Sequence, residues 1–169
     1  MRAIIITGAP GAGKSSALTA LTDRLGDEGV EHVAVEVDEL SRGFPWRDGR
    51  RHLPALAAGA DLLLVAATVE SPDYLRDLLT ALGRPDHLLV VLHARPETLV
   101  RRVRERETIP WSGLEALIDR TPALQEAVLA LPQADLTLDT ETATPVAVAA
   151  AILAAWQLRG RRGSPDPHP

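Results

Sequence analysis

Short apolar runs alternate with longer amphipathic stretches along this chain of 169 residues. The short runs are apolar on both faces, which is typical of parallel strands buried between two layers of helices. We predict five strands, at Ala3–Thr7, Val33–Val37, Asp61–Ala67, His87–His93 and Ala134–Leu138. The longer stretches predict helices at Lys14–Leu25, Arg50–Ala58, Pro72–Leu82, Pro96–Glu107, Gly113–Leu131 and Pro145–Leu158. Strands alternating with helices predict an α/β fold with a five-stranded parallel sheet and right-handed crossovers.

Several of the predicted helices carry a start signal. Ser71-Pro72, Thr121-Pro122 and Thr144-Pro145 each place a capping hydroxyl before a proline at the first helical position. Ser112-Gly113-Leu114-Glu115 has the form of a capping box. The pair Thr121-Pro122 therefore predicts a break within the fifth helical stretch.

The end of the chain differs in composition from the rest. Arg159–Pro169 is rich in Pro, Gly and Arg and has no apolar period, which predicts a disordered tail. Residues 1–158 fit a single domain, in which we find neither an internal repeat nor a linker.

Composition and charge exclude several kinds of protein. The net charge of −5 argues against a general nucleic-acid binder, which normally presents a basic face. The chain has no cysteine, so disulfides, cysteine-ligated zinc and thiol catalysis are excluded. The apolar run at the start, Met1–Ile6, is too short for a signal peptide or a membrane span. We therefore expect a cytoplasmic protein that binds neither nucleic acid nor a membrane.

The strongest motif lies between the first strand and the first helix. It has the pattern G-x-x-x-x-G-K-[ST], the P-loop, in which successive backbone N–H groups surround a phosphate and the helix N-terminus adds its dipole. Lys14 is expected to reach the β- and γ-phosphates of a nucleoside triphosphate, and the Ser15 hydroxyl to ligate Mg²⁺. The predicted nucleotide-binding residues are Gly8, Ala9, Pro10, Gly11, Ala12, Gly13, Lys14, Ser15 and Ser16.

Lysine usage supports this assignment. Of the 18 Lys and Arg side chains, Lys14 is the only lysine. A chain that otherwise uses arginine keeps its one compact ammonium group where a slim point charge fits beneath phosphate oxygens and a planar guanidinium does not. The lack of any other lysine also excludes the N-K-x-D motif with which GTPase switches read guanine.

The second predicted strand carries two carboxylates. Strand alternation places Glu36 and Asp38 on one face near its carboxyl end, the edge at which open α/β sheets bind ligands. We expect Asp38 to accept the proton of an acceptor hydroxyl, and Glu36 to join Ser15 in holding Mg²⁺.

These features resemble a known group. A P-loop, a strand with terminal Asp38, and a third strand followed by Glu70–Arg76 resemble the nucleoside- and shikimate-kinase-like P-loop kinases, over nearly the whole chain except the tail. Glu70–Arg76 is similar to adenylylsulfate kinases, and Val37–Leu40 to chloramphenicol phosphotransferases, in which the Asp is the presumed base. The resemblance implies a three-layer P-loop sandwich, ATP as phosphate donor, and a short arginine-rich lid.

The resemblance also assigns a role to the helix after the fourth strand. In kinases of this group that helix leads into the lid, whose arginines neutralise charge on the transferred phosphoryl group. Arg102 and Arg106 match the family spacing best, and we predict that both act in catalysis together with Lys14 and Asp38. The alternative is a surface helix whose arginines pair with Glu97 and Glu105.

The segment between the second and third strands is the predicted acceptor region. It contains the only Phe of the chain and one of its three Trp residues. Aromatic and guanidinium groups together suit a planar or anionic small molecule, and we assign Asp38, Arg42, Phe44 and Trp46 to acceptor binding.

The predicted function is transfer of the γ-phosphate of ATP to a hydroxyl group of a metabolite, nucleoside or antibiotic-like molecule, by a monomer or homodimer. Two alternatives stay open: an NTP-hydrolysing regulatory or adaptor protein without a small-molecule acceptor, and a toxin-type kinase acting on a nucleotide sugar.

Overall fold

The structure is a computed structural model, which describes residues 1–37, 53, 59–109 and 111–162. Its strands are β1 (Arg2–Thr7), β2 (Val33–Glu36), β3 (Leu62–Ala67), β4 (Asp86–His93) and β5 (Leu136–Asp139). The helices within these ranges are α1 (Lys14–Asp27), α2 (Pro72–Ala81), α3 (Pro96–Arg106), α4 (Leu114–Leu129) and α5 (Pro145–Arg162). The predicted alternation of strands and helices is confirmed. The helix expected at Arg50–Ala58 falls on residues of which only Leu53 is described.

The five strands form one parallel sheet in the order β2-β3-β1-β4-β5. β1 lies at the centre, where Ile5 is opposite Val65 of β3 and Leu89 of β4. The chain therefore leaves β1 toward one side of the sheet and later returns to build the other. Ligands of open α/β sheets bind at the carboxyl ends of the strands near such a reversal, and the loop after β1 begins there.

Each face of the sheet is covered by helices, because side chains of β1 alternate between two cores. Ile4 packs with Leu21 of α1 and Ile152 of α5 on one face. Ile5, one residue further along, packs with Leu78 of α2 and other apolar groups on the opposite face. Two buried faces explain the continuous apolar runs of the strands. The predicted three-layer α/β sandwich with a five-stranded parallel sheet is confirmed.

Two of the predicted helix starts have the expected cap. The Ser71 hydroxyl accepts a hydrogen bond from the backbone N–H of Tyr74 at 3.1 Å. The Thr144 hydroxyl accepts one from the N–H of Ala147 at 3.2 Å. In both cases proline occupies the next position, where its missing N–H removes no helical hydrogen bond.

Two predictions about α4 are wrong. Its N-cap residue is Gly113, so Ser112 does not cap the helix. The helix also continues through Pro122, because packing outweighs the local cost of proline there. Ile118 and Leu124, on either side of Pro122, are both buried. Thr121 is buried as well, and its hydroxyl donates to the Leu117 carbonyl at 2.8 Å instead of capping a new helix.

The last helix is longer than predicted. α5 runs to Arg162, so residues 159–162, which we expected in the tail, are helical. Arg159 explains the extension, because its guanidinium donates to Asp135 at 2.8 Å and to Asp86 at 3.3 Å. These carboxylates lie at the amino ends of β5 and β4, so the last turns of α5 are tied to the sheet. Within the described ranges, none of the helices is long and apolar enough to cross a membrane.

The loop after β1 contacts backbone at Gly11. This residue has φ of 80°, and a Cβ added to it would lie 2.5 Å from the Leu99 carbonyl oxygen of α3. Gly29 has a comparable φ of 69°, but no described heavy atom lies within 4 Å of its Cβ position. The two glycines therefore share a left-handed backbone and differ in the space around it.

We predict that Gly11→Ala destabilises the protein more than Gly29→Ala does. Both variants carry the cost of a left-handed Cβ, roughly 1–2 kcal/mol. Only Gly11→Ala adds a clash with helical backbone, which costs about 1–3 kcal/mol more. The free energy of unfolding measured in urea tests this, and equal losses in the two variants would show that the loop has room to move away from α3.

Candidate functional site

The loop from Gly8 to Gly13 joins β1 to α1 at the carboxyl edge of the sheet. Gly11 and Gly13 have φ of 80° and 92°, and the loop is closed by a hydrogen bond from Ala12 N–H to the Ala9 carbonyl at 3.0 Å. Gly13 is the N-cap of α1 and has no side chain with which to cap it. The first N–H groups of α1 therefore remain as donors, which makes this end of the helix suited to an anion.

Lys14, the first residue of α1, lies across this loop. Its ammonium group donates to the carbonyl oxygens of Gly8 at 2.9 Å and Ala9 at 3.4 Å. The positive charge is thus held at the mouth of a loop that also presents N–H donors. With a phosphate in the loop, the Lys14 ammonium group could exchange these neutral carbonyl acceptors for charged phosphate oxygens. Such oxygens bind an ammonium group more strongly.

The hydroxyl of Ser15 donates to the carboxylate of Glu36 at 3.0 Å. Glu36 is the last residue of β2, so this contact joins the start of α1 to the strand at the edge of the sheet. A hydroxyl and a carboxylate oxygen side by side are hard oxygen ligands of the kind that Mg²⁺ binds. The described residues contain no cluster of three or more His, Cys, Asp or Glu side chains that could hold a metal by themselves.

A cavity of about 420 Å³ opens over the loop. One end is formed by the loop and the first turn of α1, and the other by residues that follow β5. Two arginines of α3 complete the wall. The lining residues are Gly11, Gly13, Lys14, Ser15, Ser16, Ala17, Arg102, Arg106, Thr140, Ala143, Pro145 and Val148. The cavity therefore has a polar, cationic end at the loop and a more apolar end beside Ala143, Pro145 and Val148.

Arg102 is held by several backbone oxygens. Its guanidinium donates to the carbonyls of Thr140 at 2.8 Å, Glu141 at 3.3 Å and Gly11 at 3.4 Å. It also donates to the Thr140 hydroxyl at 3.3 Å. Arg102 thus bridges the loop after β1 and the loop after β5, and its orientation is set by groups on both.

Arg106 is held differently, although it lines the same cavity. Its side chain is 57% exposed and pairs with Glu107 at 2.9 Å. The other carboxylate oxygen of Glu107 accepts a hydrogen bond from the Trp111 indole at 3.2 Å. Other arginines of α3 pair on the outer surface, Arg101 with Glu105 and Arg104 with Glu115. The structure therefore brings Arg102 and Arg106 to the cavity and leaves Arg101 and Arg104 in surface ion pairs.

Glu141, which follows β5, is not among the site residues predicted from the sequence. Its carboxylate accepts hydrogen bonds from the Arg95 guanidinium at 2.7 Å, the Thr98 hydroxyl at 2.7 Å and the Arg95 backbone N–H at 3.0 Å. The Arg95 side chain, the Arg95 N–H and Thr98, in that order, lower the pKa of Glu141 from 4.5 to about 2. The sequence signal that could have identified Glu141 is the run of polar residues directly after β5, at the carboxyl edge at which open α/β sheets bind ligands.

Some predicted site residues cannot be placed. Asp38, Arg42, Phe44 and Trp46 lie outside the described residues, so the base and acceptor-binding predictions stay predictions. Of the predicted loop residues, Gly8, Ala9 and Ala12 are buried, and Gly11, Gly13, Lys14, Ser15 and Ser16 line the cavity.

Comparison with solved structures identifies the fold. A gluconokinase from Sinorhizobium meliloti 1021 is 20% identical, with a TM-score of 0.64 over 94% of this chain and 96% of that one. An APS kinase from Mycobacterium tuberculosis, in complex with AMPPNP and APS, is 20% identical, with a TM-score of 0.63 over 92% and 97%. A shikimate kinase from Acinetobacter baumannii, in complex with shikimate, is 19% identical, with a TM-score of 0.57 over 96% and 95%.

These proteins are P-loop kinases of small molecules, so the chain has the fold expected from its sequence. No protein-family model and no curated protein matches the sequence. The local similarity to chloramphenicol phosphotransferases stays a prediction.

The lowered pKa of Glu141 predicts how stability depends on pH. A carboxyl group with a lower pKa in the folded state stabilises the fold fully above its unfolded pKa, near 4.5, and this contribution is lost as the pH falls toward 2. The Glu141→Gln variant lacks this titration. Its free energy of unfolding should therefore fall less steeply between pH 4.5 and pH 2 than that of the wild type.

Urea unfolding at a series of pH values across this range measures the difference. Glu97→Gln is the matched control. It removes a carboxylate from the first turn of α3, the turn that Glu141 contacts, and Glu97 makes none of the hydrogen bonds that Glu141 accepts from Arg95 and Thr98. Parallel curves for the wild type and Glu141→Gln would contradict the prediction.

Proposed function

We propose that this protein is a phosphotransferase that moves the γ-phosphate of ATP to a hydroxyl group of a small molecule. The observation that carries the proposal is the cavity in which Lys14, Arg102 and Arg106 surround the mouth of the loop after β1. Three cationic side chains line this cavity together with the N-terminus of α1. Such an arrangement suits the charge that develops when a phosphoryl group is transferred.

The cavity has two ends that match the two ends of a nucleotide. The triphosphate would bind in the loop, with Lys14 exchanging the Gly8 and Ala9 carbonyls for phosphate oxygens. The nucleoside would lie toward Ala143 and Pro145, whose apolar surfaces suit a flat base. The solved APS kinase of the same fold carries AMPPNP, an analogue of ATP, which supports ATP as the donor.

Magnesium would be held by Ser15 and Glu36, whose oxygens are already adjacent. Mg²⁺ usually takes only one or two protein ligands and completes its octahedral shell with phosphate oxygens and water, so the small ligand set fits. When bound, the ion would neutralise charge on the phosphates.

The acceptor would bind beyond the carboxyl ends of β2 and β3. Asp38 comes two residues after Glu36, the last residue of β2, so it would lie at the same carboxyl edge of the sheet. In that position it would orient the acceptor hydroxyl and take its proton. Gluconokinase and shikimate kinase are named for hydroxylated acceptors, which supports an alcohol as the acceptor here. Arg106, whose exposed side chain is held by the single carboxylate of Glu107, would move onto the transferred phosphoryl group.

We predict that Lys14→Ala weakens ATP binding at least about tenfold, because a hydrogen bond to a charged group contributes roughly 1.5–3 kcal/mol. Thermal unfolding with increasing ATP and Mg²⁺ measures this as a lost shift of the midpoint. Arg24→Ala is the control, since Arg24 is also on α1 but pairs with Glu28 away from the cavity. An undiminished shift in Lys14→Ala would refute the assignment of the loop.

We predict that one class of acceptor accelerates ADP release, and that Asp38→Asn lowers this acceptor-dependent rate by about 10²–10⁴-fold, the usual contribution of a general base. A coupled assay against nucleosides, sugars and antibiotics measures the rate. Asp23→Asn, on the exposed face of α1, is the control for loss of a carboxylate. If ATP is hydrolysed slowly and no acceptor has an effect, the protein is instead a regulatory ATPase.

A further inference from the structure

We propose that Glu141 is a positioning residue for the nucleotide, an inference that rests on the proposed binding of ATP. Its carboxylate docks the segment after β5 onto the start of α3, and this fixes the nucleoside end of the cavity. Glu141 itself is not among the described residues that line the cavity, whereas its neighbours Thr140 and Ala143 are. It therefore acts on the ligand through them.

The first tie is made at the N-terminus of α3. Arg95 is the N-cap residue of this helix, and among the described contacts its own side chain makes no capping hydrogen bond. The Glu141 carboxylate binds this end of the helix from outside, accepting hydrogen bonds from the Arg95 N–H and from the hydroxyl of Thr98 in the first turn. A carboxylate is favoured at a helix N-terminus by the helix dipole as well as by these donors.

The second tie lies two turns further along α3. Arg102 donates to the carbonyls of Thr140 and Glu141 at 2.8 Å and 3.3 Å. Seven residues separate Arg95 from Arg102, which corresponds to about 10 Å along the helix. The same two-residue segment thus contacts α3 both through the Glu141 side chain and through its backbone carbonyls.

The network also extends to the phosphate end of the cavity. The Thr140 hydroxyl lies 3.1 Å from the Ala12 carbonyl and 3.0 Å from the His93 carbonyl. Arg102 contacts the Gly11 carbonyl. Glu141 holds the segment after β5 on α3. Thr140 and Arg102 connect that segment to the loop that would hold the triphosphate. We infer that Glu141 sets the distance between the two ends of the nucleotide site.

The sign of the effect separates this role from a purely electrostatic one. Glu141 is an anion close to a site for an anionic ligand, so removal of its charge alone would strengthen binding. If Glu141 has a positioning role, its removal would instead weaken the binding of ligands that contain a nucleoside, because the apolar wall is no longer held in place. It has no such effect on a ligand that occupies only the loop.

The test is titration calorimetry with Mg²⁺ and two ligands, AMPPNP and inorganic tripolyphosphate. The variants are Glu141→Gln and Thr98→Val, which keep the side-chain volumes, and Glu97→Gln is the charge-matched control. For Glu141→Gln and Thr98→Val we expect AMPPNP to bind about three- to tenfold more weakly, as for the loss of one net hydrogen bond. The double variant should lose less than the product of the two single losses, since the two groups form one contact.

Tripolyphosphate should bind the wild type and all variants within about twofold, and Glu97→Gln should bind AMPPNP no more weakly than the wild type does. If both variants bind AMPPNP as tightly as the wild type, or lose both ligands equally, Glu141 has no positioning role and only this inference fails. If the wild type binds neither ligand, the proposed function fails with it. Thr98→Val carries the test if Glu141→Gln does not fold.

Discussion

The site depends on the close approach of one stretch of backbone to two others. A Cβ on Gly8 would lie 2.6 Å from the Leu92 carbonyl of β4, and one on Gly11 would lie 2.5 Å from the Leu99 carbonyl of α3. Because the loop meets main chain and not flexible side chains, neither neighbour can give way cheaply. The loop is therefore shaped by the centre of the sheet and by the first turns of α3. Lys14 and the first turn of α1, which follow the loop directly, take their position from these contacts.

The two arginines of the cavity illustrate how the same residue type can serve two purposes. Arg102 is oriented by backbone oxygens of the loops after β1 and β5, which do not change with the charge of a ligand. Arg106 pairs with Glu107, a carboxylate next to it in the chain and beside the exposed Trp111. An arginine held by backbone keeps its orientation, whereas one held by a single neighbouring carboxylate can exchange partners. The spacing of Arg102 and Arg106 in the sequence does not reveal this difference.

Much of the fold could be predicted from the sequence, because the apolar runs and the glycine pattern are local signals. The Glu141 contacts could not, since Arg95 lies 46 residues away. They follow from the register of β4 and β5, in which His93 is opposite Asp139 and the residues two positions beyond each strand meet. That register requires knowing which strands are neighbours. The helix break predicted at Pro122 is wrong for a related reason. Burial of α4 residues before and after Pro122 outweighs the local preference of proline for a helix start. The acceptor side of the site, from Asp38 onward, still rests on sequence.

The solitary lysine also has an experimental consequence. Because Lys14 is the only lysine of the chain, reagents that acylate primary amines have one side-chain target, and that target lies at the floor of the cavity. The amino group of Met1 lies at the opposite edge of the sheet, before β1 begins, and serves as an internal reference. The ratio of the two modified peptides in a mass spectrum would report occupancy of the loop directly. The candidate site therefore needs no engineered label to be followed.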